Sequence, residues 1–383
     1  MRTALIVGAG IGGLAAGIAL RQAGWQVRIF ERASSPRELG FGLGLAPNAI
    51  AALRKLGVAD VVLARGFEPS RGEVRRMDGT VSKRAEFPPH EALGGPMVIA
   101  LRPALHGALL EAVGTDALAL GREAIGFTVN GGRVTLQGTD GDLGEGDLLV
   151  GADGVGSIVR RALHPSEGPP RSSGLVAVRG AVEGALRHLG GLSAVYYLGP
   201  GVESAIVRAS DTGIYWFLSL ARALVPDGVR DPAAILAHMS PQFDATFRGV
   251  TSATDDLRYD ELVDRDPIPW WGRDIVTLLG DAAHPMLPHT GQGAAQAIVD
   301  AVALAQALKE EHDIAGALRS YEGDRRPKTA TLVAQGRRTA RIMGTRNRAL
   351  CWLREVAIRL APVKTIVKVV VTINKRAGTD ISR

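Results

Sequence analysis

The first 31 residues restrict the fold more than any other stretch. Ala4–Val7 is a short unbroken apolar run, the pattern of a strand buried in a parallel sheet. GAGIGG follows, then a helical pattern from about Gly12 to Ala23, a break at Gly24, and a second strand pattern, Gln26–Glu31. Gly8, Gly10 and Gly13 therefore occupy the G-x-G-x-x-G positions of a βαβ unit. The first glycine permits the tight turn, the second lets the backbone approach a pyrophosphate, and the third allows close helix–strand packing. The free N–H groups and positive dipole end of the following helix complete an anion site.

Glu31 ends the second strand 18 residues after Gly13, placed to accept hydrogen bonds from a ribose diol. An acid there favours the free diol of FAD or NAD over a 2′-phosphate. Arg32 beside it keeps an NADP reading open.

With 383 residues, 46% hydrophobic and 22% charged, the chain has the length and balance of one large or two medium globular domains. The single cysteine, Cys351, excludes an intramolecular disulfide framework and any Cys-cluster metal site, and fits a reducing cytoplasm. The eight histidines show no metal-ligand spacing, so no metal is expected. Ala4–Leu20 is uncharged and superficially resembles a leader or a membrane span, but its glycines and strand–turn–helix reading argue against both. A soluble, cytoplasmic protein without a transmembrane segment is the expectation.

Farther along, Asp147–Val150 is a third apolar strand leading into Gly151-Ala152-Asp153-Gly154. Helices are expected over Pro47–Leu56, from Arg102-Pro103 to about Val113, over Ser157–Leu163 and over Pro232–Met239. Phe127–Leu136 reads as a hairpin around Gly131-Gly132. From about Ser172 to Trp271 apolar and polar residues alternate, the mark of antiparallel strands in a separate sheet. Ile275–Leu279 is again a buried-strand run, ending in GDAAHP; a glycine-containing loop then precedes a helix from Ala294 to Lys309. The remainder reads as helical and basic, interrupted at Pro327 and Pro362.

GAGIGG with Glu31, the GADG at 151–154, and LLGDAAHPMLPHTGQGAAQAIVDA at 278–301, in this order, resemble the single-component FAD-dependent aromatic hydroxylases, the group A flavoprotein monooxygenases. The resemblance runs from residue 2 to about 340. It implies a mixed α/β (α+β) architecture: a discontinuous Rossmann-like FAD-binding domain (1–171 and 272–340), an inserted, mostly antiparallel substrate domain (172–271), and a basic C-terminal helical segment (341–383). Gly8, Gly10, Gly13 and Glu31 would hold the ADP half of FAD, with Arg102 on its phosphate or ribityl chain. Asp153 and Gly154 look like the pair used near the cofactor and in NAD(P)H handling. Gly280-Asp281 resembles the pair whose carboxylate accepts from the ribityl hydroxyls. Pro285 would lie against the ring, and Gly291, Gln292 and Gly293 would offer N–H groups to its pyrimidine edge. His284 takes a structural role in this reading, while His289 departs from the residues expected there and is a candidate to touch substrate.

The implied activity is NAD(P)H-consuming hydroxylation of an electron-rich aromatic or related small molecule by O₂ through a flavin C4a-hydroperoxide, with NADH or NADPH bound transiently. Only one dinucleotide fingerprint is present, which fits transient binding. Substrate-pocket candidates on the middle sheet are Arg179, Tyr197, Tyr215 and Phe217. Two alternatives stay open: an FAD epoxidase or oxidase of a hydrophobic terpenoid or polyketide, and a flavin-binding redox sensor without turnover. A halogenase would need W-x-W-x-I-P, and Ile268-Pro269-Trp270-Trp271 has those residue types in another order.

The net charge of +6 suggests a nucleic-acid binder only until it is divided along the chain. Arg319–Arg383 holds 16 Lys and Arg against 4 Asp and Glu, so residues 1–318 are acidic, and no nucleic-acid motif appears. Arg337, Arg341 and Arg348 fall within about 40° on one helical wheel. Such a stripe is read as a solvated face, a peripheral contact with anionic lipid, or a surface docked on the protein's own acidic body.

Overall fold

The computed structural model describes residues 1–35 and 41–362; the rest of the basic C-terminal segment, residues 363–383, lies outside the described residues. The opening unit folds as its glycines dictate. The strand Thr3–Val7 pairs in parallel with Gln26–Glu31 on one side and Leu148–Gly151 on the other. Val276–Leu278 and Leu118–Leu120 complete a five-stranded parallel sheet. Its central strands are apolar because they are covered by helices and also by the small antiparallel sheet that contains Arg133–Gly138. Ile11–Gln22 packs against Arg102–Val113 and Gly293–Glu310, and all three contribute to the largest core. The hairpin at Gly131-Gly132 forms and gains a third strand, Gly141–Gly146.

The second sheet has seven strands. Arg171–Glu183, Ala194–Gly199, Val202–Arg208, Gly213–Ala221 and Leu257–Asp264 come from the alternating region. Two more, Arg71–Arg76 and Val81–Glu86, come from far earlier in the chain, and Arg71–Arg76 joins Ala194–Gly199 in parallel. One face of this sheet is sealed by Pro232–Met239 and Ala245–Thr251, with Trp216, Phe243 and Phe247 at the centre. The other face meets the parallel-sheet half through a small cluster that includes Ala177, Leu262, Leu287 and Ala340.

Two expectations about the C-terminal helices are corrected. Pro327 does not interrupt the chain: it lies inside a 30-residue helix, Ile314–Met343. A helical proline clashes with, and leaves unbonded, the carbonyl four residues earlier. Here that residue is the exposed Gly323, whose carbonyl water can reach. The arginine stripe is not one face either, because Gly344 ends this helix and Arg348 opens the next, Arg348–Leu360. Arg337 instead turns inward and clamps Asp264 at 2.7 Å and Asp266 at 2.7 Å. Among the described residues no helix is long and apolar enough to cross a membrane.

Candidate active site

At the carboxyl ends of the parallel strands, successive turns bring the sequence motifs to one edge, where ligands of open α/β sheets gather. A cleft of about 360 Å³ there is lined by Gly8, Gly10, Glu31, Arg32, Arg102, Asp153 and Gly154, among others. Gly8 has φ +100°, and a Cβ on it would fall 2.6 Å from the Ala152 carbonyl oxygen. A Cβ on Gly13 would fall 1.9 Å from the Gly8 carbonyl oxygen, so the helix can approach the turn only with glycine there. Beside Gly10 the space is open. Glu31 accepts from the backbone N–H groups of Ala9 (3.0 Å) and Ala33 (2.9 Å), tying the glycine turn to the second strand. Arg32 is exposed at the rim.

Arg102 opens the helix Arg102–Val113, with Pro103 fixing the first turn. Its side chain reaches solvent through the cleft, yet the surrounding protein lowers its pKa by desolvation, while Asp281 draws it back up. Asp281 shows the reverse: desolvation raises it, and His284 and Arg102 lower it. Among the described residues neither side chain has a hydrogen-bond partner in the protein. Asp153 accepts from Ile158 N–H at 2.7 Å through one oxygen; the other is buried and unpartnered, and desolvation raises its pKa.

The loop from Gly280 to Gly293 is held from behind. His284 Nε2 lies 2.5 Å from Asp300 Oδ2, Gly280 N–H donates to the same oxygen, and Arg325 Nε donates to the other at 2.6 Å. All three side chains are buried. Burial alone would raise Asp300, but His284 and Arg325 outweigh it and hold the carboxyl at about 2. His284 thus braces the loop rather than facing the cleft. Sequence reading missed Asp300 and Arg325, which lie on ordinary-looking helices; only the tertiary fold joins them. Past Gly291, at φ +63°, Gln292 is buried against Asn48 (3.1 Å), and the 18-residue helix Gly293–Glu310 begins with its N-terminus beside Asp281.

Facing this loop is the open side of the seven-stranded sheet. Register places Arg179 opposite Phe217, Phe217 opposite Ala205, and Ala205 opposite Tyr196. Tyr215 and Glu203, two residues along their strands, share that face. The ring of Tyr215 lies against Gly42, where a Cβ would fall 2.4 Å from Cγ. Tyr197 is on the wrong side: it is fully buried, its hydroxyl donates to Asp244 at 2.8 Å, and it packs on Phe243 and Phe247. It is not a pocket residue; its neighbour Tyr196 takes that face. His289 is buried beside Glu203, with Nε2 3.3 Å from Oε2. Sequence reading also missed Glu203, Arg258 and Asp260; the last two join Arg102 and Arg179 in one electrostatic group.

This arrangement fits FAD. A backbone-only turn with space beside Gly10 suits a pyrophosphate, and Arg102, Asp281 and the free oxygen of Asp153 offer charged groups along a path toward a helix N-terminus. A sequence model described as "FAD binding domain" matches residues 1–227 and 263–336. The chain belongs to the FAD-dependent aromatic hydroxylase family. It is 35% identical to an aurachin C monooxygenase/isomerase of Stigmatella aurantiaca, over 94% of each chain. It is 32% identical to 3-hydroxybenzoate 6-hydroxylase 1 of Aquipseudomonas alcaligenes, over 87% of each. The crystal structure of Klebsiella pneumoniae HpxO complexed with FAD and uric acid superposes with a TM-score of 0.91 at 26% identity, covering 98% of this chain and 97% of that one. This family member is an FAD-dependent monooxygenase, with NAD(P)H as the family's typical reductant.

Proposed function

We propose that the enzyme hydroxylates a small, electron-rich aromatic or heteroaromatic ring carrying an ionisable hydroxyl, held between the Pro285–Gly293 loop and the open face of the second sheet. The observation that carries this reading is the pairing of Arg179 with Tyr215 on that face, with Asp260 3.5 Å from Arg179 and Arg102 nearby on the helix that lines the cofactor cleft. Burial raises the Tyr215 hydroxyl above its usual pKa, with Asp260 adding to the rise and Arg179 and Arg102 opposing it, so Tyr215 is a protonated donor beside a mixed charge group. Such a pocket suits a phenolate, a carboxylate or a ring carbonyl. FAD, reduced by NADH or NADPH, supplies the electrons that let O₂ deliver one oxygen atom to the ring and one to water.

The chain's own residues would bind, orient and exclude water. Gly8, Gly10 and Gly13 admit the pyrophosphate, with Glu31 and Arg32 at the ribose end. Arg102 meets a phosphate, and Asp281 with Gly280 accepts from the ribityl hydroxyls. Asp153 and Gly154 line the same channel. Pro285 packs on the ring, while Gly291, Gln292 and Gly293 bring a positive helix end to negative charge on it. The relative named for 3-hydroxybenzoate supports a hydroxylated ring acid as one member of the substrate class.

The test is NADH and NADPH oxidation by the flavin-loaded protein across hydroxybenzoates, hydroxypyridines and hydroxyquinolines, with product mass. The expected result is substrate-stimulated oxidation and a product heavier by one oxygen, with KM raised roughly tenfold or more in Arg179→Met, the loss of one charged hydrogen bond. Oxidation that no ring compound stimulates overturns the reading.

A further inference from the structure

The pair formed by His289 and Glu203 is not explained by packing. A carboxylate on a central strand of the second sheet and an imidazole on the flavin loop meet at 3.3 Å, with both side chains nearly sealed from solvent. Apolar residues of similar size would fill that boundary at lower cost, because burying either group in charged form is expensive. Three buried polar atoms here also lack a partner: His289 Nδ1, Thr290 Oγ1 and Glu203 Oε2, the last outside good hydrogen-bond geometry to His289. Buried polar atoms are normally satisfied, so a cluster left unsatisfied in the protein alone marks a place for a ligand group or water.

The polar groups around the pair come from three further elements. Tyr196, on the adjacent strand, donates its hydroxyl to Glu203 Oε1. Arg354, on the C-terminal helix, exerts the attraction that favours the ionised carboxylate. Arg179, on the sheet, opposes protonation of His289. His289 itself comes from the loop that leads into Gly291–Gly293.

We propose that Glu203 and His289 together take up the ionisable proton of the substrate. The substrate's O–H or ring N–H bond breaks, its electron pair stays on the ring, and the proton goes to His289 Nδ1. The imidazole passes its Nε2 proton on to Glu203, so the pair ends as a neutral imidazole and a protonated carboxyl. His289 is the catalytic residue that touches the substrate, and Glu203 is the acceptor behind it. The assignment rests on the phenolic reading above and adds to it the groups that carry the proton.

The pH dependence follows from the surroundings. Burial pushes the Glu203 carboxyl up to about 7 against the pull of Arg354. Burial and then Arg179 push His289 down to about 4. Near pH 6 the carboxyl therefore already holds a proton and cannot accept another; above neutrality it can. Activity rises as pH passes through about 7, and this limb belongs to Glu203.

Two measurements on the flavin-loaded protein test it. In substrate-free enzyme, difference infrared spectra should show a protonated-carboxyl band that titrates near neutrality, vanishes in Glu203→Gln and shifts in His289→Gln. In turnover, Glu203→Gln should lose the acidic limb and at least about tenfold in kcat. Its flavin content and melting temperature should stay unchanged, and Glu203→Asp should restore the limb in part. A missing infrared band, or a Glu203→Gln enzyme with unchanged rate and pH profile, overturns the assignment. Absence of turnover by the parent enzyme on every ring compound, with the band present, overturns the phenolic reading instead.

Discussion

Asp300 shows how a single residue can secure a loop it does not belong to. Its carboxylate is fully buried and takes bonds from His284, Arg325 and the backbone of Gly280. Replacing Arg325 by leucine keeps the bulk and leaves the anion short of its cation, a change that costs about 3–5 kcal/mol for buried pairs. Urea unfolding of Arg325→Leu should show a loss of that size, together with weaker FAD retention because the Gly280–Gly293 loop loses its brace. A loss under about 1 kcal/mol would mean that water or another group replaces Arg325. The pH sign is fixed by the depressed value. A carboxyl near 3.9 in the unfolded chain and about 2 in the native one stabilises the fold above pH 4, and that contribution disappears as pH falls toward 2.

Elements are where local pattern and long-range structure part company. The βαβ start was readable because its glycines, helix and acidic strand end are all within 31 residues, each constrained by backbone geometry. The strands Arg71–Arg76 and Val81–Glu86 gave no such sign of belonging to the second sheet, since their partner Ala194–Gly199 lies more than a hundred residues away. Alternation revealed strands there but not which phase faced the flavin loop, so Tyr197 and Tyr196 were exchanged. The helix Ile314–Met343 passes Pro327 because the strained carbonyl is turned to solvent and the buried side supplies Tyr321, Arg325 and Leu332 to the core. Pro327→Ala should therefore stabilise the protein, by about 2 kcal/mol once the looser unfolded chain is counted. Thermal unfolding checks this; a lower melting temperature would show that the proline's bend is part of the docking geometry.

On the scale of the whole molecule, the basic C-terminus resolves into separate uses. Arg337 locks the long helix to Asp264 and Asp266, and the next helix, Arg348–Leu360, lies on the edge of the second sheet. Glu355 pairs with Arg76 at 2.7 Å, Lys83 donates to the Ile358 carbonyl at 3.1 Å, and Arg354 donates to the Gly199 carbonyl at 3.0 Å. The cofactor cleft is lined by other elements altogether. A chain ended at Gly344 should thus keep FAD while melting at a lower temperature, because the contacts removed belong to the second sheet and not to the glycine turn. In the full chain, Arg354→Met should move the acidic limb of activity upward: Arg354 lowers the Glu203 pKa, so losing its charge while burial is kept leaves the carboxyl protonated to higher pH. Flavin absorbance and a melting curve on the shortened chain, and a pH–rate profile on Arg354→Met, separate these effects. Loss of flavin along with the helix would mean that the sheet edge and the cleft share one stability, and that the tail holds both.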